Sequence, residues 1–392
     1  MLIYLVDDYL NPSLGFHPKY SIFELQKIDS KSKNMTENLI DKAVDQRPGE
    51  ELNAQSLLAY LQKNIEGVGD QIDIYQFPGG FSNLTYLIRL KDRELVLRRP
   101  PFGANIKSAH DMSREYKVLS QLLPHYTKIP TPLAYCEDES VLGAPFYVME
   151  RVKGMILRGK KPKNTELSPE MMRALSASCI ENLVHLHQID LEKSGLINIG
   201  KPEGYTRRQV EGWIRRYKNA QTDEVPAMDQ VGEWMMQNIP DEEPVAFIHN
   251  DYKYDNLVLN PENFTEILAV LDWEMATVGN PFMDLGTTLA YWGEAKDTDY
   301  MRYFSLTWLP GNFTRQEVLD FYQEKSQQEV SDIVFYYAFG QYKLAVIAQQ
   351  IYARYKKGLT KDPRFGLLIF GVHSCAEAGA KAIELDRISK LY

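Results

Sequence analysis

The chain has 392 residues, 44% hydrophobic and 25% charged, which is enough apolar material for a large core split between two lobes or domains. A net charge of −9 argues against a nucleic-acid or anionic-membrane partner for the whole molecule, while still allowing a local basic pocket for a phosphorylated ligand. Three scattered cysteines, Cys136, Cys179 and Cys375, exclude a disulfide framework or a cysteine-based metal site, and no apolar run reaches the roughly 18 residues of a membrane span.

Residues 1–34 show no sustained period and end in a polar Ser, Lys and Asn cluster; Met35 then offers a second start. The segment reads either as a mis-assigned upstream extension or as a docking arm. Its early acids, in 1-MLIYLVDDYLNPSLG-15, speak against a secretory leader, so a reducing, cytoplasmic setting is expected. From Glu51 to Ile65, Leu52, Leu57, Leu58, Leu61 and Ile65 recur at helical spacing. Residues 72–100 read as three short strands, with turns at Pro78-Gly79-Gly80 and Lys91-Asp92-Arg93. A helix follows from Met112 to Leu122, and 129–154 reads as two more strands joined by a loop. Beyond Ser168 the pattern is largely helical: Ser168-Pro169-Glu170 supplies an N-cap, a proline at the first helical position and an early acid. Helical spacing returns at 229–239, 314–325, 331–357 and 363–388. The segments 247–260 and 268–286 are expected as strand and loop pieces between these helices.

Those two segments carry the chemistry. In 247-FIHNDYKYDNLVLN-260, His249, Asp251, Lys253 and Asn256 sit inside an apolar run, where polar groups are costly unless something pairs with them. In 268-LAVLDWE-274, Asp272 ends a fully apolar strand. Asp251 is a candidate base, and Asn256 and Asp272 are oxygen ligands of the hard type magnesium prefers.

The pattern H-x-D-x-x-x-x-N, followed by an Asp after an apolar strand, resembles the catalytic and metal-binding loops of protein-kinase-like phosphotransferases. The D-W-E and D-L-G wording resembles the aminoglycoside phosphotransferase and choline kinase group, and 77-FPGGFSNLTYLIR-89, LVLRRPP and PFYVMERVKG resemble the branch found beside or fused to acyl-CoA dehydrogenases. The resemblance implies an α+β, two-lobe fold: a nucleotide-binding N-lobe over 35–152, made of an antiparallel sheet plus a helix, and a mainly helical C-lobe over 153–392. It implies ATP and magnesium as cofactors. Gly79, Gly80, Phe81, Ser82 and Asn83 form its nucleotide-covering loop, Arg98 reaches the phosphates and pairs with Glu115, and the backbone from Glu150 to Val152 meets adenine. Asp251 orients or deprotonates a hydroxyl, Lys253 touches the transferring phosphoryl group, and His249 props the loop. Asn256 and Asp272 hold the metal, and Asp284 matches the family's buried Asp behind the loop. Arg98 stands where many relatives have Lys, and Asn250 where they often have Gly. Asp255 falls outside the pattern and is expected at the acceptor or the loop surface.

The implied reaction is phosphorylation of a small-molecule hydroxyl, with a hydroxyacyl thioester as a candidate acceptor and no nucleic-acid or membrane partner. A protein acceptor is disfavoured because the span between Asp272 and Asp284 is too short for a regulatory loop. Two rivals differ in class. A catalytically silent nucleotide-binding module would keep the glycines and hinge but lose the base or metal ligands, which are present here; a magnesium-dependent hydrolase using the H-N-D segment alone leaves the N-lobe unexplained.

Overall fold

The computed structural model describes residues 40–78, 83–102, 112–159, 161–162, 165–241, 244–303, 305–360 and 363–392. The segment 1–34 and the loop residues Gly79, Gly80, Phe81 and Ser82 lie outside them. Residues 41–392 form one compact unit.

That unit begins with helix α1 (Ala54–Asn64), capped by Asn53, whose side chain accepts from Ser56 N at 3.0 Å. Strands β1 (Asp73–Gln76), β2 (Leu84–Arg89) and β3 (Glu94–Arg99) follow as a meander; after helix α2 (Met112–Leu122) come β4 (Pro132–Cys136), the single turn α3 (Glu139–Leu142) and β5 (Phe146–Glu150). The sheet order is β1-β2-β3-β5-β4, every neighbouring pair antiparallel. Strand periodicity decides what faces the site. Leu95 and Leu97 of β3 point into the core that includes Leu57, Leu61 and Val148, whereas Val96 and Arg98 point to the opposite face and line a cleft. Helix α2 buries Met112, Glu115, Val118, Leu119 and Leu122, a helical stripe that carries Glu115 inward with the apolar residues.

After β5 the chain meets the second half of the fold at Met155, which exchanges both backbone hydrogen bonds with Leu259 at 2.9 and 2.8 Å. Gly154 permits the approach, since a Cβ there would stand 2.5 Å from Leu259 O. This second half is mainly helical: α4 (Pro169–His187), α5 (Tyr205–Ala220), α6 (Pro226–Gln237), α7 (Pro281–Tyr291), α8 (Asp299–Tyr303), α9 (Arg315–Ser326), α10 (Ile333–Lys356) and α11 (Leu368–Leu385). Between α6 and α7 lie four short strands paired in two ladders: β6 (Ala246–Ile248) with β9 (Thr277–Gly279), and β7 (Leu257–Leu259) with β8 (Ile267–Val270). The architecture is the two-lobe, kinase-like α+β fold. Among the described residues no helix is long and apolar enough to cross a membrane.

Besides the short turns α3 and α8, two elements differ from the sequence reading. Residues 281–286, expected as strand or loop, open α7: Asn280 caps it through Phe282 N at 2.9 Å and Pro281 occupies its first turn. Helix α5 is also additional: the sequence reading did not single it out, although its buried residues Tyr205, Val210, Trp213 and Tyr217 fall on one face between exposed Arg and Lys residues.

Candidate active site

The loop between β6 and β7 carries His249, Asn250, Asp251 and Lys253 and closes with a 3-10 turn at Tyr254–Asn256. Asn250 adopts φ 65°, the left-handed conformation a glycine takes without cost and an asparagine tolerates best among side-chain-bearing residues. Two backbone donors fix the bend. His249 N and Asn250 N donate to the two carboxylate oxygens of Asp284 at 2.7 and 2.8 Å, and His187 Nε2 donates to the same carboxylate at 3.2 Å. Burial alone would raise the Asp284 carboxyl, but His187 and the His249 amide hold it below the ordinary carboxylate range. His249 is a prop: Nε2 donates to Leu271 O at 2.9 Å and Nδ1 accepts from Asp251 N at 3.2 Å, which fixes one neutral tautomer, and burial lowers its pKa.

Asp251 sits among three donors. Lys253 Nζ lies 3.0 and 2.8 Å from its two oxygens, Tyr291 OH donates to Oδ1 at 2.8 Å, and Asn256 Nδ2 donates to Oδ2 at 3.0 Å. Burial opposes the charge, yet Lys253 and the Tyr291 hydroxyl hold the Asp251 carboxyl below its ordinary value. Lys253 is pulled in turn upward, against burial, by Tyr291 and Asp251, and stands 4.2 Å over the Tyr291 ring.

Across the cleft, Arg98 is held against the sheet by Glu115 at 2.5 Å and reaches Asp272 at 3.2 Å. Burial would lower the guanidinium pKa; Glu115 and the neighbouring acids raise it well above its usual value, so Arg98 stays charged. Asp272 sits at φ 68°, two residues past the end of β8, and Leu271 N donates to Asn256 O at 2.8 Å, so the two residues expected to hold a metal share one hydrogen-bonded corner. Asn83 donates to Glu274 at 2.8 Å across the cleft. Burial first, and Asp272 second, push Glu274 up to about 7. That excess of negative charge, together with the hard oxygens of Asn256 and Asp272, suits a magnesium ion. No group of three or more His, Cys, Asp or Glu among the described residues forms a metal site alone, so water and phosphate oxygens would complete the shell.

The cleft itself is lined by Asn83, Arg98, Glu115, Glu150, Val152 and Asn256, among others. Asp255, expected at the acceptor or the loop surface, lines this same cleft, where burial pushes it up to about 6. Tyr291, His187, Glu274 and Lys343 were absent from the sequence-derived site. Lys343 Nζ donates to Asn250 O at 2.6 Å from α10, and its signal was available: a lone cation inside 339-FGQYKLAVIA-348.

Comparison with known proteins identifies the family and the fold. A model described as the phosphotransferase enzyme family matches residues 73–321. Acyl-CoA dehydrogenase family member 11 from Homo sapiens is 32% identical over 341 residues, covering 85% of this chain and 43% of that protein. The chain thus spans less than half the length of the curated relatives it matches. Among solved structures, a Ralstonia eutropha protein assigned to the aminoglycoside phosphotransferases has a TM-score of 0.74 at 29% identity, over 86% of this chain and 99% of that one. Spectinomycin phosphotransferase, solved with ADP and spectinomycin, shares the fold with a TM-score of 0.55 at 12% identity, over 84% of this chain and 98% of that one.

Proposed function

The chain belongs to the phosphotransferase enzyme family, and from that premise we propose that it transfers the γ-phosphate of ATP, with magnesium, to a hydroxyl of a small molecule. The observation that carries the reading is the Asp251 carboxylate, kept ionised by Lys253, Tyr291 and Asn256. The acceptor hydroxyl hydrogen-bonds to Asp251 and is aimed at the γ-phosphorus. Its oxygen forms the new O–P bond as the bond to the β,γ-bridging oxygen breaks, ADP leaves with that electron pair, and the hydroxyl proton passes to Asp251. A carboxyl held below its ordinary pKa is a weak base, so it orients the hydroxyl first and takes the proton once the new bond is largely made. Arg98, fixed by Glu115, binds the nucleotide phosphates, and Lys253, which pairs with Asp251, meets the transferring group as it leaves the nucleotide. Magnesium on Asn256 and Asp272 would neutralise charge on the phosphate oxygens. In the same reading Glu150 to Val152 is the hinge between lobes of 35–152 and 153–392, with Gly79 to Asn83 above the nucleotide. The three cysteines, all free and buried, accord with a cytoplasmic setting.

A small acceptor fits because β9 and α7 come at once after Asp272, without room for a long substrate-docking segment. The likeness to acyl-CoA dehydrogenase family members supports a hydroxyacyl-CoA-type metabolite. The test is an ATP-consumption screen over metabolite hydroxyls and hydroxyacyl thioesters, with Asp251→Ala as control. Turnover that survives the substitution removes the proposed base. Nucleotide binding without turnover on any acceptor favours the silent module instead.

A further inference from the structure

A second cavity, of about 260 Å³, opens beside the catalytic loop and shares no lining residue with the Arg98 cleft; it is walled by α5, by Asn250, Met275 and Thr277, and by Lys343 from α10. Its composition is lopsided. Arg114, Lys201, Arg208, Arg216 and Lys343 all line it, and among the described residues no Asp or Glu does. The rest of the molecule offers no reason for such a cluster, since the chain as a whole is acidic at −9. Helix α5 delivers part of it by spacing: Tyr205, Arg208, Gln209, Trp213 and Arg216 fall on one face, with Tyr205 and Trp213 buried beneath the two exposed arginines.

Charge neutralisation inside the protein does not account for four of these cations. Among the described residues, no carboxylate lies within ion-pair distance of Lys201, Arg208, Arg216 or Lys343, although surface cations elsewhere, such as Arg158 with Asp41 and Lys218 with Asp229, are paired. Arg208 donates instead to the backbone carbonyls of Glu203 and Lys201, which orients its guanidinium without cancelling its charge. Arg216 lies 4.6 Å over the Trp213 ring, with Lys343 5.9 Å from the same ring. Lys343 is only 2% exposed, and burial pushes it down to about 8. Uncompensated like charges around one cavity repel one another, and an anion of matching charge removes the repulsion.

Position gives the anion its meaning. Asn250, in the cavity wall, is the residue before Asp251, and Lys343 bridges the two by donating to Asn250 O at 2.6 Å. A ligand anchored here touches the residue next to the catalytic carboxylate. At about 260 Å³ the cavity is close to the lower end of small-molecule sites, of order 300–1,000 Å³, a size that suits the anionic end of a ligand rather than a whole one. We propose that this cavity is the anion subsite for the acceptor: Lys201, Arg208, Arg216 and Lys343 grip a phosphate- or diphosphate-bearing handle, so that the acceptor's hydroxyl, at the other end, reaches Asp251. The inference rests on the phosphotransferase reading and narrows its acceptor to molecules that carry such a handle, a class that includes coenzyme A thioesters.

The test has a binding arm and a turnover arm, both on the full chain. Calorimetry measures inorganic pyrophosphate and a hydroxyacyl-CoA thioester against the free hydroxy acid, for wild type and for Arg208→Glu with Arg216→Glu. Both residues are exposed, so the core is untouched; Lys201→Gln is a milder companion, and ADP affinity checks that the nucleotide cleft is intact. The thioester and pyrophosphate should bind wild type, less tightly as salt rises, and lose about tenfold or more in affinity per cation reversed, while the free acid binds poorly to every form. In turnover, the KM for the thioester should rise by a similar factor. Equal thioester affinity and KM in wild type and charge-reversed protein overturn the subsite, as does a phosphate-free hydroxy acid matching the thioester as acceptor; either result leaves kinase activity standing. Charge-dependent thioester binding without phosphorylation of any acceptor would instead uphold the anion site and remove the phosphotransferase reading.

Discussion

Replacing Asp284 by Asn isolates what holds the catalytic loop. Asp284 is fully buried, and its two oxygens accept from His249 N at 2.7 Å and Asn250 N at 2.8 Å. Asparagine has the same shape but one acceptor oxygen, so one of the two amides must face an NH₂ group. A buried donor left unmade costs about 1–3 kcal/mol, and the surviving bond, no longer charge-assisted, loses about 1 kcal/mol more. The total, about 2–4 kcal/mol, falls on a loop already bent through Asn250 at φ 65°. Hydrogen exchange read by mass spectrometry on a peptide spanning 247–252 tests it locally: opening should become roughly 30- to 1,000-fold more frequent at tenfold per 1.4 kcal/mol, and the denaturant midpoint should fall. Unaltered protection of that peptide, with an unaltered midpoint, would refute the view that Asp284 sets the loop.

The same carboxylate predicts an acid limb. Its folded pKa is depressed, so the stability it contributes is complete above the unfolded value near 4 and is lost as pH falls through the folded value. The stability gap between wild type and Asp284→Asn should therefore be constant at neutral pH and narrow below about 4, as denaturation midpoints over a pH series will show. Glu115→Gln leaves the buried Arg98 with only its weaker partners and should cost about 3 kcal/mol, the low end for breaking a buried pair because Asp272 remains at 3.2 Å. An unchanged unfolding midpoint would contradict it. Tyr291→Phe removes one donor from Asp251 and should slow turnover roughly tenfold without changing ADP affinity, a split between kcat and nucleotide binding that a purely packing role would not give. Gly286→Ala sets a Cβ against the Tyr336 carbonyl on the facing helix and should destabilise by about 1–3 kcal/mol or more; a midpoint equal to wild type would show that α7 and α10 separate freely.

The parts of the fold that were legible in the sequence, and the parts that were hidden, differ in where each signal resides. Helices α2, α4 and α9 announce themselves through an apolar stripe or a cap; α9 carries a full capping box between Thr314 and Glu317. Helix α7 shows no stripe because residues 281–290 are buried on every side, and a helix without a polar face has no helical period to read. The loop residues His249, Asp251, Lys253 and Asn256 were visible because they are close in sequence and chemically out of place. Their partners Tyr291 and His187 were not, and Lys343, though conspicuous as a lone cation in an apolar helix, gave no sign of which loop it serves, since only tertiary packing brings three separate helices to one loop.

That packing gives α10 two tasks one turn apart. Gly340 lets α7 come so near that a Cβ on it would strike the Gly286 carbonyl, and Lys343 reaches past the contact to the Asn250 carbonyl at 2.6 Å. Helix α7 in turn places Asp284 on the amides of His249 and Asn250, and Tyr291, two turns on, against Asp251. The left-handed Asn250 is therefore gripped at its N–H from α7 and at its carbonyl from α10. A shift between these two helices would move the catalytic carboxylate without any change in the residues that touch it, so substitutions along the Gly286 and Gly340 crossing should alter turnover before they alter nucleotide binding.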